Sequence, residues 1–146
     1  MSDFRKLSDT IWASPQIARE DILEAGRRGF AMIMNNRPDD ETEGQPSGAE
    51  IESAARNAGM GYCAIPVTHA GFSMAQVDAM LDALSNADGP VLAYCRSGTR
   101  STLLWSLARA KAGDDPSAIA QAAAEAGYDV GPVREIIDQL ASSATQ

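Results

Sequence analysis

Histidine occurs once in the 146 residues, as His69, and cysteine twice, as Cys63 and Cys95. No two of them stand at the short spacing of a metal-binding pair, so a structural zinc site is not expected, and no other metal or cofactor is indicated. Two thiols allow at most one disulfide, which a domain of this length does not need, and a reducing compartment keeps both free. Positive charge is scarce. Twelve Lys and Arg against 20 Asp and Glu leave a net charge of −8, which argues against nucleic-acid backbones and anionic membranes as main partners. No apolar run approaches the length that spans a bilayer, and nothing from Met1 to Asp9 has the pattern of a signal peptide, so the expected location is the cytoplasm. There is no internal repeat and no linker, and the length fits one domain over 1–146 with a single core.

What the chain does have is concentrated between Gly89 and Ser101, Gly-Pro-Val-Leu-Ala-Tyr-Cys-Arg-Ser-Gly-Thr-Arg-Ser. Val91 to Tyr94 is a continuous apolar run, as in a strand buried on both faces of a parallel sheet. From Ser101 to Lys111, apolar residues at Leu103, Leu104, Leu107, Ala108 and Ala110 follow helical spacing. Cys95 therefore sits at a strand-to-helix junction. Backbone N–H groups in such a turn point inward and the helix start adds about half a positive charge, a combination that favours anions. A thiolate is an anion, so an ordinary cysteine pKa of about 8.5 is expected to fall here, helped by Arg96 and Arg100. Gly98 permits a positive φ or a close approach to a ligand, and the planar fork of Arg100 suits two oxygens of a tetrahedral anion. In an acidic protein this basic loop implies a small anion entering a pocket.

The rest of the chain supplies the frame. Phe4 to Leu7 and Thr10 to Ala13 read as an edge hairpin. Ser14 with Pro15 reads as the N-cap and first turn of a helix carrying Ile17, Ile22 and Leu23, ending near Gly26 or Gly29. Trp12 reads as core or rim packing. Phe30 to Met34 is a buried strand, followed by a polar loop from Asn35 to Pro46 in which Arg37 adds a second candidate cation above the pocket, or else answers the neighbouring acidic run. Ser47 to Glu50 has capping-box spacing and opens a helix closed by Gly59. Gly61 to Val67 is the next strand, with Cys63 in its middle as a packing residue or, alternatively, a resolving thiol for Cys95. A helix from about Ser73 leads to Gly89. Beyond the central helix pattern, Asp115-Pro116 starts a helix ended by Gly127, and a last helix runs from about Pro132 through Leu140, with a tail from Ser142 expected to fray. Strand and helix alternate three times, which predicts an α/β fold of three layers, a mostly parallel central sheet with helices on both faces.

Loop spacing bears on the chemistry. Protein tyrosine and dual-specificity phosphatases place five residues between Cys and Arg, with His before the Cys. Here only Arg96, Ser97, Gly98 and Thr99 intervene, and Tyr94 precedes Cys95. The string Cys-Arg-Ser-Gly-Thr-Arg-Ser resembles the short active loop of rhodanese-type sulfurtransferases, in which the cysteine carries a persulfide.

Nearly the whole chain resembles the bacterial phosphatase-like domain of the beta-lactamase-hydrolase-like proteins. The residues that carry the likeness are Arg5 to Ser8, Trp12 to Gln16, Asn35 to Asp39, Gly44 to Ser47, Ile65 to Val67 and Tyr94 to Ser101. The resemblance implies a tyrosine/dual-specificity-phosphatase-like fold, Cys95 as nucleophile, and Arg100 as anion-binding residue. It also implies loop amides from Ser97, Gly98 and Thr99, and a persulfide-handling partner protein or domain. In dual-specificity phosphatases an aspartate two residues after a strand like Ile65-Pro66-Val67 protonates the leaving oxygen; here that place holds His69. A general acid contributes about 10² to 10⁴ in rate, so His69 is the candidate acid unless it is an exposed loop residue without a role.

The leading expectation from sequence is a sulfurtransferase that takes sulfane sulfur onto Cys95 and passes it to a thiol acceptor, because such donors already carry good leaving groups. The alternative is phosphate-monoester hydrolysis through a cysteinyl-phosphate, with Arg100 on the phosphate and Ser101 assisting the second step. A third reading is a non-catalytic anion or redox sensor.

Overall fold

The computed structural model describes residues 2–144. Arg5–Ser8 (β1) and Ile11–Ser14 (β2) form the expected hairpin, each strand displaced by one residue from its apolar run. The other strands are Met32–Asn35 (β3), Gly61–Ala64 (β4) and Val91–Tyr94 (β5). The helices are Arg19–Arg27 (α1), Gly48–Asn57 (α2), Met74–Asn86 (α3), Thr99–Lys111 (α4), Pro116–Glu125 (α5) and Arg134–Ala144 (α6), with a 3-10 turn at Gly131–Val133 leading into α6.

The strands make one mixed sheet in the order β1-β2-β5-β3-β4, antiparallel only between β1 and β2. β5 is central, and all four of its residues are buried. Val91 and Ala93 face one core, built with Val77 and Met80 of α3, Leu104 and Leu107 of α4, Ile119 of α5 and Ile137 of α6. Leu92 and Tyr94 face the other, built with Ile22 and Ala25 of α1 and Ile51 and Ala55 of α2. The continuous apolar run of β5 thus serves two cores at once. Truncating wholly buried Leu92 or Leu104 to alanine would cost about 2–5 kcal/mol.

This topology fixes where a site can be. The chain passes from β2 to β3 leaving a gap that β5 later fills, so the windings to either side diverge at β5, the place in such sheets beyond whose carboxyl end ligands bind. Ser14, Tyr94 and Asn35 lie in one row of the sheet. The residues that follow them, Pro15, Cys95 and Asn36, therefore leave the sheet together.

Local signals were overridden at several points. Ser14-Pro15 does not open α1. Ser14 O accepts from Cys95 N at 3.4 Å and Gln16 N donates to Arg96 O at 3.2 Å, so this segment is tied to the loop after β5. The helix begins only at Arg19, where the Asp21 carboxylate accepts from the Ala18 N–H at 2.8 Å. Phe30 is lost to β3 because its N–H closes the end of α1 on Ala25 O at 3.1 Å. β4 stops at Ala64, since Pro66 has no N–H to continue the ladder, although Ile65 N and Val67 N still reach Asn35 O and Asn36 O. α6 does not stop at Ser142 but continues to Ala144, with Ile137 and Ala141 buried on the α4 side. Thr145 and Gln146 of the expected tail lie outside the described residues. The caps at Ser47, Ser73 and Asp115 are as the sequence implies: each side chain accepts from the backbone N–H three residues on.

Candidate active site

Cys95 leaves β5 wholly buried, and its Sγ accepts a hydrogen bond from the Gly98 N–H at 3.1 Å. That geometry requires the left-handed backbone of Gly98, at φ 93° and ψ −11°. Glycine adopts it without steric penalty. A second constraint acts at the same place, because a Cβ on Gly98 would lie 2.1 Å from the Tyr128 hydroxyl and 2.8 Å from its Cζ. α4 starts immediately afterwards at Thr99, so its N-terminal partial charge falls on the loop. Inside the loop the Ser97 hydroxyl donates to Thr99 Oγ1 at 2.9 Å and accepts from Thr99 N at 3.3 Å. Arg96 and Ser97 are exposed. The helix behind the loop is almost entirely buried. Its polar residues Thr102 and Ser106 are satisfied along the helix, donating to Gly98 O at 2.9 Å and Thr102 O at 2.8 Å.

Arg100 sits one position into α4 with its side chain 16% exposed, and its guanidinium is braced on two sides. Nη1 donates to Glu41 Oε2 at 2.6 Å and to Val67 O at 2.7 Å, and Nη2 donates to Glu41 Oε1 at 2.7 Å. Neither bond to Glu41 uses Nε, and the guanidinium stands close enough to Cys95 to interact with its sulfur; an Nε–Nη2 edge offers the two parallel donors that suit a tetrahedral oxyanion. Hydrogen bonding to Glu41 raises the Arg100 pKa against the opposing effect of burial, and the charge of nearby Cys95 raises it further. Glu41 is pushed down to about 2, first by Arg100 and also by Arg37, against the desolvation that would raise it.

Arg37 is more deeply buried than Arg100, its side chain 4% exposed. Each of its nitrogens is turned inward: Nε to Glu41 Oε1 at 2.9 Å, Nη1 to Gln16 Oε1 at 3.0 Å, Nη2 to Thr42 Oγ1 at 3.2 Å. It therefore reaches the Cys95 loop through Glu41. Ser101 is buried and donates to Asn36 Oδ1 at 2.7 Å, while Asn36 Nδ2 donates to Ile65 O at 2.9 Å, which fastens α4 to the ends of β3 and β4. His69 is exposed on the segment after Val67, the residue whose carbonyl holds Arg100. Cys63 is partly buried on β4, and desolvation pushes its thiol up to about 11.

The structure thus brings Cys95, Gly98, Thr99, Arg100 and Ser101 into one unit, leaves Arg96 and Ser97 on its rim, and places Arg37 on Glu41. Two residues of the unit escape sequence reading. Glu41 lies in the run Asp39-Asp40-Glu41, where its spacing of four from Arg37 was the one available signal. Tyr128, just past Gly127, gave none. Its hydroxyl donates to Ser97 O at 3.1 Å from the far end of α5.

Residues 3–112 match the family described as "Beta-lactamase hydrolase-like protein, phosphatase-like domain". A beta-lactamase hydrolase-like protein of Xylella fastidiosa (strain Temecula1) is 32% identical over 129 residues, which cover 86% of this chain and 29% of that protein. The chain thus spans less than a third of this curated relative's length. A candidate phosphatase from Neisseria meningitidis, known from a crystal structure, is 35% identical with a TM-score of 0.86, covering 96% of this chain and 99% of that one. Tk-PTP in its active form shares the fold at 16% identity and a TM-score of 0.74, covering 96% and 97% of the two chains. The fold is that of the tyrosine and dual-specificity phosphatases, and the chain belongs to the phosphatase-like domain family of the beta-lactamase hydrolase-like proteins.

Proposed function

We propose that this site hydrolyses phosphate monoesters through a cysteinyl-phosphate. The observation that carries the reading is the pairing of a sulfur held on the Gly98 N–H with an arginine beside it whose far edge is fixed by Glu41. Family membership and the likeness to the Neisseria protein support phosphoryl chemistry ahead of the sulfurtransferase reading that the short loop first suggests.

In this mechanism Cys95 Sγ attacks phosphorus, and an S–P bond forms as the ester P–O bond breaks. Arg100 and the loop amides hold the equatorial oxygens as charge spreads over them. The departing oxygen takes a proton, a role assigned to His69. Water then attacks the cysteinyl-phosphate, giving a proton back to His69. The S–P bond breaks and inorganic phosphate leaves with the thiolate restored.

Phosphate release from an aryl phosphate by wild type, Cys95→Ser and His69→Ala tests this. Cys95→Ser is expected to abolish turnover, and His69→Ala to lower kcat by about 10² to 10⁴. Full turnover by Cys95→Ser would overturn the proposal, and an unchanged kcat in His69→Ala would remove the acid assignment. A second reading, transfer of sulfane sulfur through a Cys95 persulfide, is favoured by the short loop, with only four residues between Cys95 and Arg100. There the thiolate attacks the outer sulfur of thiosulfate, the S–S bond breaks and sulfite leaves. Sulfite release without phosphate release would put that chemistry first.

A further inference from the structure

Tyr128 lies beyond the residues that match the family, yet it touches the Cys95 loop. Its contact falls on one peptide group, that between Ser97 and Gly98. The carbonyl oxygen of this peptide accepts from the Tyr128 hydroxyl at 3.1 Å, and its N–H donates to Cys95 Sγ at 3.1 Å. In a trans peptide the C=O and N–H point in opposite directions, so holding the oxygen outward aims the N–H at the sulfur. Glycine makes this control necessary. Gly98 tolerates a wide range of φ, and a flipped peptide would turn a carbonyl oxygen toward the thiolate and toward any anion bound there.

The tyrosine is itself held from three directions. Gly127, at φ 92°, closes α5, and Tyr128 N donates to Ala123 O at 2.9 Å. The Arg5 guanidinium lies 5.2 Å from the centre of the ring, and Arg5 Nη1 donates to Ala126 O at 3.4 Å. Burial raises the phenol pKa, with Arg5 opposing, so the hydroxyl stays protonated as a donor.

Resting on Cys95 as the nucleophile, we infer that Tyr128 is a positioning residue: its hydroxyl locks the Ser97–Gly98 peptide in the orientation that presents the Gly98 N–H to the Cys95 sulfur and to the anion bound beside it. The C-terminal segment 113–144 is then part of the active site through a single hydroxyl group.

The test is the pH dependence of Cys95 alkylation by iodoacetamide, read on the Cys95 peptide by mass, in wild type and Tyr128→Phe, with urea midpoints measured beside it. Tyr128→Phe is expected to move the alkylation midpoint to higher pH and to lower kcat about three- to ten-fold, the factor one hydrogen bond is worth, with KM little changed. A purely structural role would lower the urea midpoint and leave the pH profile superimposed on wild type; that result overturns the inference. Site-specific replacement of Tyr128 by 3-fluorotyrosine keeps the shape and makes a stronger donor, so it should move the midpoint to lower pH. No movement would count equally against the inference, even if the phenylalanine variant fails to fold. If wild-type Cys95 alkylates like a free thiol and Cys95→Ser retains turnover, the nucleophile reading fails and takes this inference with it. A reactive wild-type Cys95 with an unmoved Tyr128→Phe profile sinks the Tyr128 role alone.

Discussion

Replacing Glu41 by glutamine should destabilise the protein by about 3 kcal/mol at neutral pH, and by progressively less in acid. A carboxyl that titrates at about 2 in place of its ordinary 4.5 contributes about 3 kcal/mol when ionised. Its side chain is only 15% exposed, so solvent screening removes little of this. The same figure follows from the partners. Without Glu41, the Arg37 and Arg100 side chains, 4% and 16% exposed, lose the carboxylate that each pairs with among the described residues, and breaking a buried ion pair costs about 3–5 kcal/mol. The sign follows from the depressed pKa. The stabilisation is fully present above 4.5 and is lost as pH falls from there towards 2, where the wild-type carboxyl itself becomes neutral. Urea unfolding of both proteins at pH 7 and again near pH 3 reads the difference directly. Equal midpoints at pH 7, or a gap that stays constant into acid, would refute the ion-pair account. The variant should also lose kcat/KM, because Arg100 no longer has one edge fixed.

Gly98→Ala should destabilise by about 2 kcal/mol or more and abolish turnover, since its Cβ would meet the Tyr128 hydroxyl at 2.1 Å on a left-handed backbone; thermal unfolding and phosphate release check both. Asn36→Leu should cost about 1–3 kcal/mol in urea unfolding, because it strands the buried Ser101 hydroxyl and Ile65 carbonyl. Cys63→Ser should leave turnover within about two-fold, as desolvation pushes its partly buried thiol up to about 11, away from the reactive range.

The parts of this molecule that sequence reveals are those whose causes are local. The apolar run Val91 to Tyr94 followed by Cys95, Gly98 and a helical pattern marks the strand-to-helix junction that holds the candidate site, because strand burial, a left-handed glycine and a helix start are all encoded within a dozen residues. The caps at Ser47, Ser73 and Asp115 are local in the same way. What sequence hides depends on distant partners. Ser14-Pro15 carries a helix-start signal, but hydrogen bonds to Cys95 and Arg96 claim that segment. Arg37 reads either as a loop cation above the pocket or as the answer to the acidic run, and its bonds to Glu41, Gln16 and Thr42 show the second. Glu41 meets Arg100 across 59 residues and Tyr128 meets Ser97 across 31, so no spacing rule pairs them. The candidate site is legible in sequence as far as a cysteine beside an arginine at a helix start. The proposal of phosphorus ahead of sulfur rests on the fold and the family, which no loop spacing encodes.

The most direct test of the central claim is a rapid alkaline quench, which preserves an S–P bond, of the protein mixed with an excess of aryl phosphate, followed by mass analysis of its peptides kept at alkaline pH. The account predicts a phosphoryl group on the Cys95 peptide that appears during turnover and is absent in Cys95→Ser. Phosphate release with Cys95 unmodified throughout, or release that continues in the serine variant, would contradict it.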